Sequence, residues 1–125
     1  MADHPNARLV RDFLDGMSAM DTAAIGAVLA DNVVWHMIGV DQPAVGRDAV
    51  LAMFSGDESG FEITGSVHDV IANDDHTIAL VQAHATRGGE SIDYRTAEIM
   101  HIEDGKVTER WAFSDDTEAI KRFFA

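Results

Sequence analysis

The chain opens on a helical rhythm. Leu9, Phe13 and Met17 recur every four residues and Val10 and Leu14 widen the stripe, so one helix is predicted from Pro5 to about Ala19. Pro5 suits its first turn. Asp21 reads as the N-cap of a second short helix ending near Ala30. Asp31 and Asn32 punctuate, and VVWHMIG then reads as a strand. VDQPAVGRD is a loop. AVLAMF makes a third helix, expected to bury Val50, Met53 and Phe54.

From here the period changes to two. FEITGSVHDVIA, HTIALVQAHAT and SIDYRTAEIMHI are long strand patterns, and the NDD and RGGE between them carry hairpin-turn chemistry. KVTERWAFS is a last strand. Asp115, with Glu118 three residues on, resembles a capping box for a final helix, EAIKRFF. Helices that gather at one end of a chain and hairpins at the other predict an α+β fold, helices covering one face of a curved antiparallel sheet. A long helix lying across such a sheet leaves a cone-shaped hollow, a common kind of small-molecule site.

A length of 125 residues fits one domain, residues 1–125. The composition holds no cysteine, which excludes disulfides and thiolate zinc sites. The net charge is −13, from 22 acids against 9 bases. That speaks against nucleic acid and anionic membranes as partners, since both call for a basic footprint. No apolar run approaches a membrane span and the first residues lack the apolar core of a signal peptide, so a cytoplasmic location is expected. The six histidines, His4, His36, His68, His76, His84 and His101, are scattered. No set of them matches the spacing of a metal site, and neither metal nor cofactor is predicted. His84 alternates with Gln82 and would turn inward only if its strand slipped.

LADNVVWHMIG with the later GRDAV, and then HIEDGKVTERW, resemble the SnoaL-like group of the NTF2-like superfamily, which also includes the ketosteroid isomerases. The resemblance covers almost the whole chain. It implies a cone-shaped sheet wrapped around the first helix, and a fold that hosts many unrelated reactions.

Glu98 and Arg110 are the chemically interesting pair. The IEDGKV turn leaves two registers open. A two-residue Asp104-Gly105 turn sets Glu98 opposite Trp111; a three-residue loop with left-handed Gly105 in a bulge sets Glu98 opposite Arg110 and Thr96 opposite Ala112. A one-residue slip reverses every face. The resemblance implies the bulged register, because its isomerase members point the residue matching Glu98 into the hollow. Tyr94, Thr96, Glu98, Met100, Arg110, Ala112 and Ser114 then face inward. Ile99, His101, Val107, Trp111 and Phe113 face outward, an apolar surface that a second copy would cover, as is common in the family.

The resemblance also turns Trp35 and Met37 inward and His36 outward, projects Phe13 and Met17 into the hollow, and closes it with Met53, Phe54, Phe61 and Ile63. The isomerase base falls on Met37 and the helix tyrosine on Phe13; the cyclase acid after the last-strand tryptophan falls on Ala112. None of these can do that chemistry. Glu98, Arg110 and His36 remain as catalytic candidates. Expected, therefore, is a site for a small hydrophobic or weakly acidic molecule, with cofactor-free proton transfer of isomerase, cyclase, dehydratase or hydrolase type. The competing expectations are a structural ion pair and a non-catalytic binding or assembly domain.

Overall fold

A computed structural model describes residues 4–55 and 61–124. The elements follow the order α1 (Pro5–Ser18), α2 (Thr22–Ala27), β1 (Leu29–Trp35), β2 (Ala44–Val45), α3 (Arg47–Ser55), β3 (Phe61–Ala72), β4 (His76–Arg87), β5 (Glu90–Glu103), β6 (Lys106–Ser114) and α4 (Thr117–Phe124). Six strands form one curved, open sheet in the order β2-β1-β6-β5-β4-β3. All neighbours are antiparallel except β1 and β6, which run parallel.

Helix α1 lies across the concave face. Ala7, Val10, Phe13 and Leu14 form its buried stripe, while His4 caps it by accepting the Asn6 N–H at Nδ1. The same end is tied to the β3–β4 turn by His4 Nε2 to Asp74 (3.0 Å) and by the Asn6 amide donating to the Asn73 carbonyl (3.2 Å). Phe13, Ile25, Leu29, Val33, Trp35, Val50, Met100 and Val107 then close the core between helices and sheet. Among the described residues no helix is long and apolar enough to cross a membrane.

Several boundaries differ from the sequence pattern. Helix α2 keeps its Asp21 cap (Ala24 N–H to Oδ1, 3.1 Å) but ends at Ala27, because Leu29 enters the core as the start of β1. Asp31 and Asn32 are strand residues, exposed where the β1–β6 register shifts between Leu29 and Val34. Ala44 and Val45 form a short edge strand where a loop is predicted. Helix α3 presents Val50, Leu51 and Phe54 to the core, and Met53, about 110° around the helix from that face, is 41% exposed. The α4 cap is Asp116, which accepts the Ala119 N–H (3.0 Å); Asp115 accepts the Arg95 N–H instead.

The β5–β6 hairpin matches neither predicted register. Its turn is the two-residue Asp104-Gly105, both left-handed (φ 52° and 75°), with Glu103 paired to Lys106 and Ile102 to Val107. One extra residue then enters β6 between His101 and Ile102 of the partner strand, at the level of Thr108. Beyond it Met100 faces Arg110, Glu98 faces Ala112 and Thr96 faces Ser114. The bulge restores the inward parity of Glu98 and Arg110. Before it the faces differ, so Val107 lies in the core, fully buried, and not on the outer face.

Candidate functional site

The alternation of β5 carries Tyr94, Thr96, Glu98 and Met100 onto the concave face, and that of β6 carries Arg110, Ala112 and Ser114 beside them. Glu98 and Arg110 are 6% and 7% exposed, so their charges need partners inside the protein. Arg110 donates from Nε (3.0 Å) and Nη2 (2.6 Å) to Glu98 Oε1, and from Nη1 to the His36 carbonyl (2.9 Å). The Thr96 hydroxyl donates to Glu98 Oε2 (2.9 Å). The guanidinium also lies 4.4 Å from the centre of the Trp35 ring.

Aromatic rings support this pair from the helix side. Phe13 and Phe54 each meet Trp35 edge to face, with centroids 5.9 and 6.0 Å apart. Met17 and Met37 are half-buried and pack on the same cluster. Tyr94 is half-buried four residues before Glu98. Burial pushes its hydroxyl above the ordinary tyrosine value; the Glu98 charge pushes the same way and Arg110 opposes. Ala112 and Ser114 are half-buried and Met100 is fully buried. Ile63 is on the concave face but 47% exposed, and the Phe61 side chain lies outside the described residues.

The His36 imidazole is not brought to this group. It lies on the convex face, bonded to Glu109 (2.7 Å) and stacked on Trp111 at 5.7 Å. Only its backbone carbonyl reaches the site. His84 is also convex, with Nδ1 2.6 Å from Asp93. Among the described residues no three His, Asp or Glu side chains could hold a metal ion together. Two clefts, of about 430 and 260 Å³, lie at the start of α3 beside Asp31 and between β3 and β4 beside His84; neither is lined by Glu98 or Arg110.

A family model described as a SnoaL-like domain matches residues 10–110. The chain belongs to the SnoaL-like family. No curated protein matches it in sequence. Among solved structures, an NTF2-like protein of unknown function from Burkholderia pseudomallei shares 19% identity over 98% of this chain and 99% of its own, with a TM-score of 0.85. An LEH-like epoxide hydrolase from M. tuberculosis shares 16% over 92% of this chain and 86% of its own, with a TM-score of 0.80. IdmH from Streptomyces antibioticus, a candidate polyketide cyclase, shares 17% over 98% and 100%, with a TM-score of 0.77. At these identities the likeness is one of fold. The SnoaL-like chain therefore has the NTF2-like architecture. Its Phe13, Met37 and Ala112 carry no side-chain group that could transfer a proton.

Proposed function

We propose that this SnoaL-like protein takes a small hydrophobic or weakly acidic molecule on the concave face and moves a proton in it without a cofactor, with Glu98 as the proton-transfer group. The observation that carries the reading is the asymmetric use of the Glu98 oxygens. Oε1 accepts two N–H bonds from Arg110, whereas Oε2, among the described residues, accepts one bond, from the Thr96 hydroxyl. Oε2 retains capacity to accept a proton, and Arg110 holds it in place. Tyr94, whose hydroxyl resists ionisation, supplies a neutral donor for an oxygen that gains negative charge. Arg110 uses Nε, Nη1 and Nη2 on the protein itself, so its part is to position Glu98. The epoxide hydrolase and candidate cyclase of the same fold are consistent with reactions that relay protons.

The second reading is a non-catalytic binding or assembly domain. It is favoured by the completeness of the same network: every nitrogen of Arg110 is bonded, its guanidinium lies on Trp35, and Phe13 packs on the edge of that ring. Thermal shift with aromatic acids, terpenoid epoxides and polyketide-like phenols, followed by product analysis of every stabilising compound, separates the two. Proton transfer requires that Glu98→Gln abolish turnover of a compound it still binds. Stabilisation with no product from any compound refutes catalysis and leaves the binding reading.

A further inference from the structure

We infer that helix α4 is a displaceable roof over the concave site, and that a ligand reaches Tyr94, Thr96 and Glu98 when it lifts. The inference rests on the small-molecule reading above and concerns how entry is controlled. Thr96, Glu98 and Arg110 are each more than nine-tenths buried, so no ligand touches them without a movement of the protein.

The position of α4 follows from what is covered around it. Its end reaches β4, where Arg87 Nη1 donates to the Phe123 carbonyl (3.4 Å), and its middle meets the loop after β1 at Gly39. At this level of the sheet the convex residues Ser91, Asp93 and Arg95 are exposed. The concave residues are not: Ala85 and Ala83 are 0% and 6% exposed and Tyr94 is half-buried. Helix α4 therefore crosses the concave side of the strand ends, one to two rungs above Glu98.

Its attachment is light compared with that of α1. Ile120 is the one fully buried side chain of α4 among the described residues, whereas α1 commits Val10, Phe13 and Leu14 to the core. A helix of 8 residues has little stability of its own and depends on docking, which places it at the low end of local opening energies. At Gly39 the seat is close. The residue is left-handed (φ 74°), and a Cβ there would stand 2.5 Å from Lys121 Cγ. That proximity brings positions 39 and 121 within disulfide reach.

The chain has no cysteine and two tryptophans, so a lock and a reporter can both be built, with the reduced double-cysteine chain as the control for the strain of a side chain at left-handed Gly39. In a Trp111→Phe background, Trp35 alone reports access to the interior by acrylamide quenching. The parent, Ile120→Ala, a chain ending at Asp116 and a Gly39→Cys/Lys121→Cys cross-link are compared, with 1-anilinonaphthalene-8-sulfonate as an apolar anionic probe. Quenching of Trp35 should rise at least threefold in the truncated chain and in Ile120→Ala. It should fall in the cross-linked chain, whose dye affinity should drop at least tenfold and return with reductant. Equal quenching in all four, or dye that binds with the same measurable affinity before and after reduction, overturns the roof. Changed quenching with no dye affinity in any form supports the roof and overturns the small-molecule reading.

Discussion

Glu98 and Arg110 lie on paired strands but one rung out of step, Glu98 opposite Ala112 and Arg110 opposite Met100. The offset suits the bond. Directly opposed residues have Cβ atoms about 5 Å apart, too close for a carboxylate and an extended guanidinium to meet end-on, whereas a diagonal pair about 7 Å apart leaves room for it. Removing one partner strands a buried charge. Arg110→Met is expected to cost about 3–5 kcal/mol in urea unfolding. Glu98→Leu with Arg110→Met should cost clearly less than the two single losses added together, and strict additivity would mean that the pair is not coupled.

Tyr94 is the one tyrosine in the chain, so its ionisation can be followed at 295 nm without deconvolution. The titration midpoint should lie above about 10, the value of an unperturbed phenol. Glu98→Gln removes one of the causes and should lower it. Below about pH 10 the phenol is neutral in folded and unfolded chains alike, and this group adds no pH dependence. Above it the unfolded chain ionises first, so stability falls as pH rises toward the folded midpoint. A midpoint at or below the ordinary value, or one unmoved by Glu98→Gln, contradicts the placement of Tyr94 beside the carboxylate.

The long strands and α1 were readable because their periods persist for a dozen residues or so, and a persistent period survives errors of one or two residues. The bulge at Thr108 was not readable. One extra residue leaves no mark on composition, and its support is tertiary: the Thr108 hydroxyl bonds the carbonyl and Nδ1 of His101 across the hairpin. Glu98 and Arg110 are nonetheless on the same face in the bulged register and in the observed one. A bulge in the turn and a bulge after it each shift the pairing by one residue, in opposite senses, and both change the facing in the same way. Val107, between the turn and the actual bulge, is where the two differ. Met53 was misread because a helix of 9 residues that packs on β1 and α2 buries positions 50, 51 and 54, and Leu51 carried no stronger signal than Met53.

Thr77 tests the interior by a different route. It is fully buried on β4, and its hydroxyl has no hydrogen-bond partner among the described residues. An unmet buried hydroxyl costs stability, and valine keeps the shape without the polar atom. Thr77→Val should therefore stabilise the protein by about 1 kcal/mol in chemical unfolding. A loss of similar size would mean that the hydroxyl is satisfied in solution by a bound water.

The cap of α4 separates two adjacent acids. Asp116 accepts the Ala119 N–H, whereas Asp115 accepts the Arg95 N–H at the end of the sheet. Asp116→Ala should remove about 1 kcal/mol of helix stability. Amide exchange should accelerate within 117–124 and leave β5 unchanged. Asp115→Ala should act on the Arg95 amide instead. The same pattern of exchange in both variants would place the cap wrongly.

The convex face predicts a partner. Trp111, Ile99, Ile78 and Ile71 form one row straight across four strands, with Phe113, Ala97 and Leu80 in the next. Ile71 in the first row is 57% and Phe113 in the second 60% exposed, and Trp111, Ile99 and Ile78 are half-buried, so the two rows meet water in the single chain. Each large side chain taken out of water contributes about 1.5–3 kcal/mol, and a continuous apolar row of this extent is unusual on a monomer. A second copy of the chain, packed sheet on sheet, is the proposed cover. Beyond this row the same face turns polar at Arg95, Gln82 and Ser66, then Asp93, His84 and Thr64, which would form the rim. Sedimentation should give a dimer for the parent. Phe113→Glu, which puts a charge into the row without touching the concave side, should shift it to monomer with little loss of folding stability. A parent that sediments as a monomer at tens of micromolar removes the proposed interface.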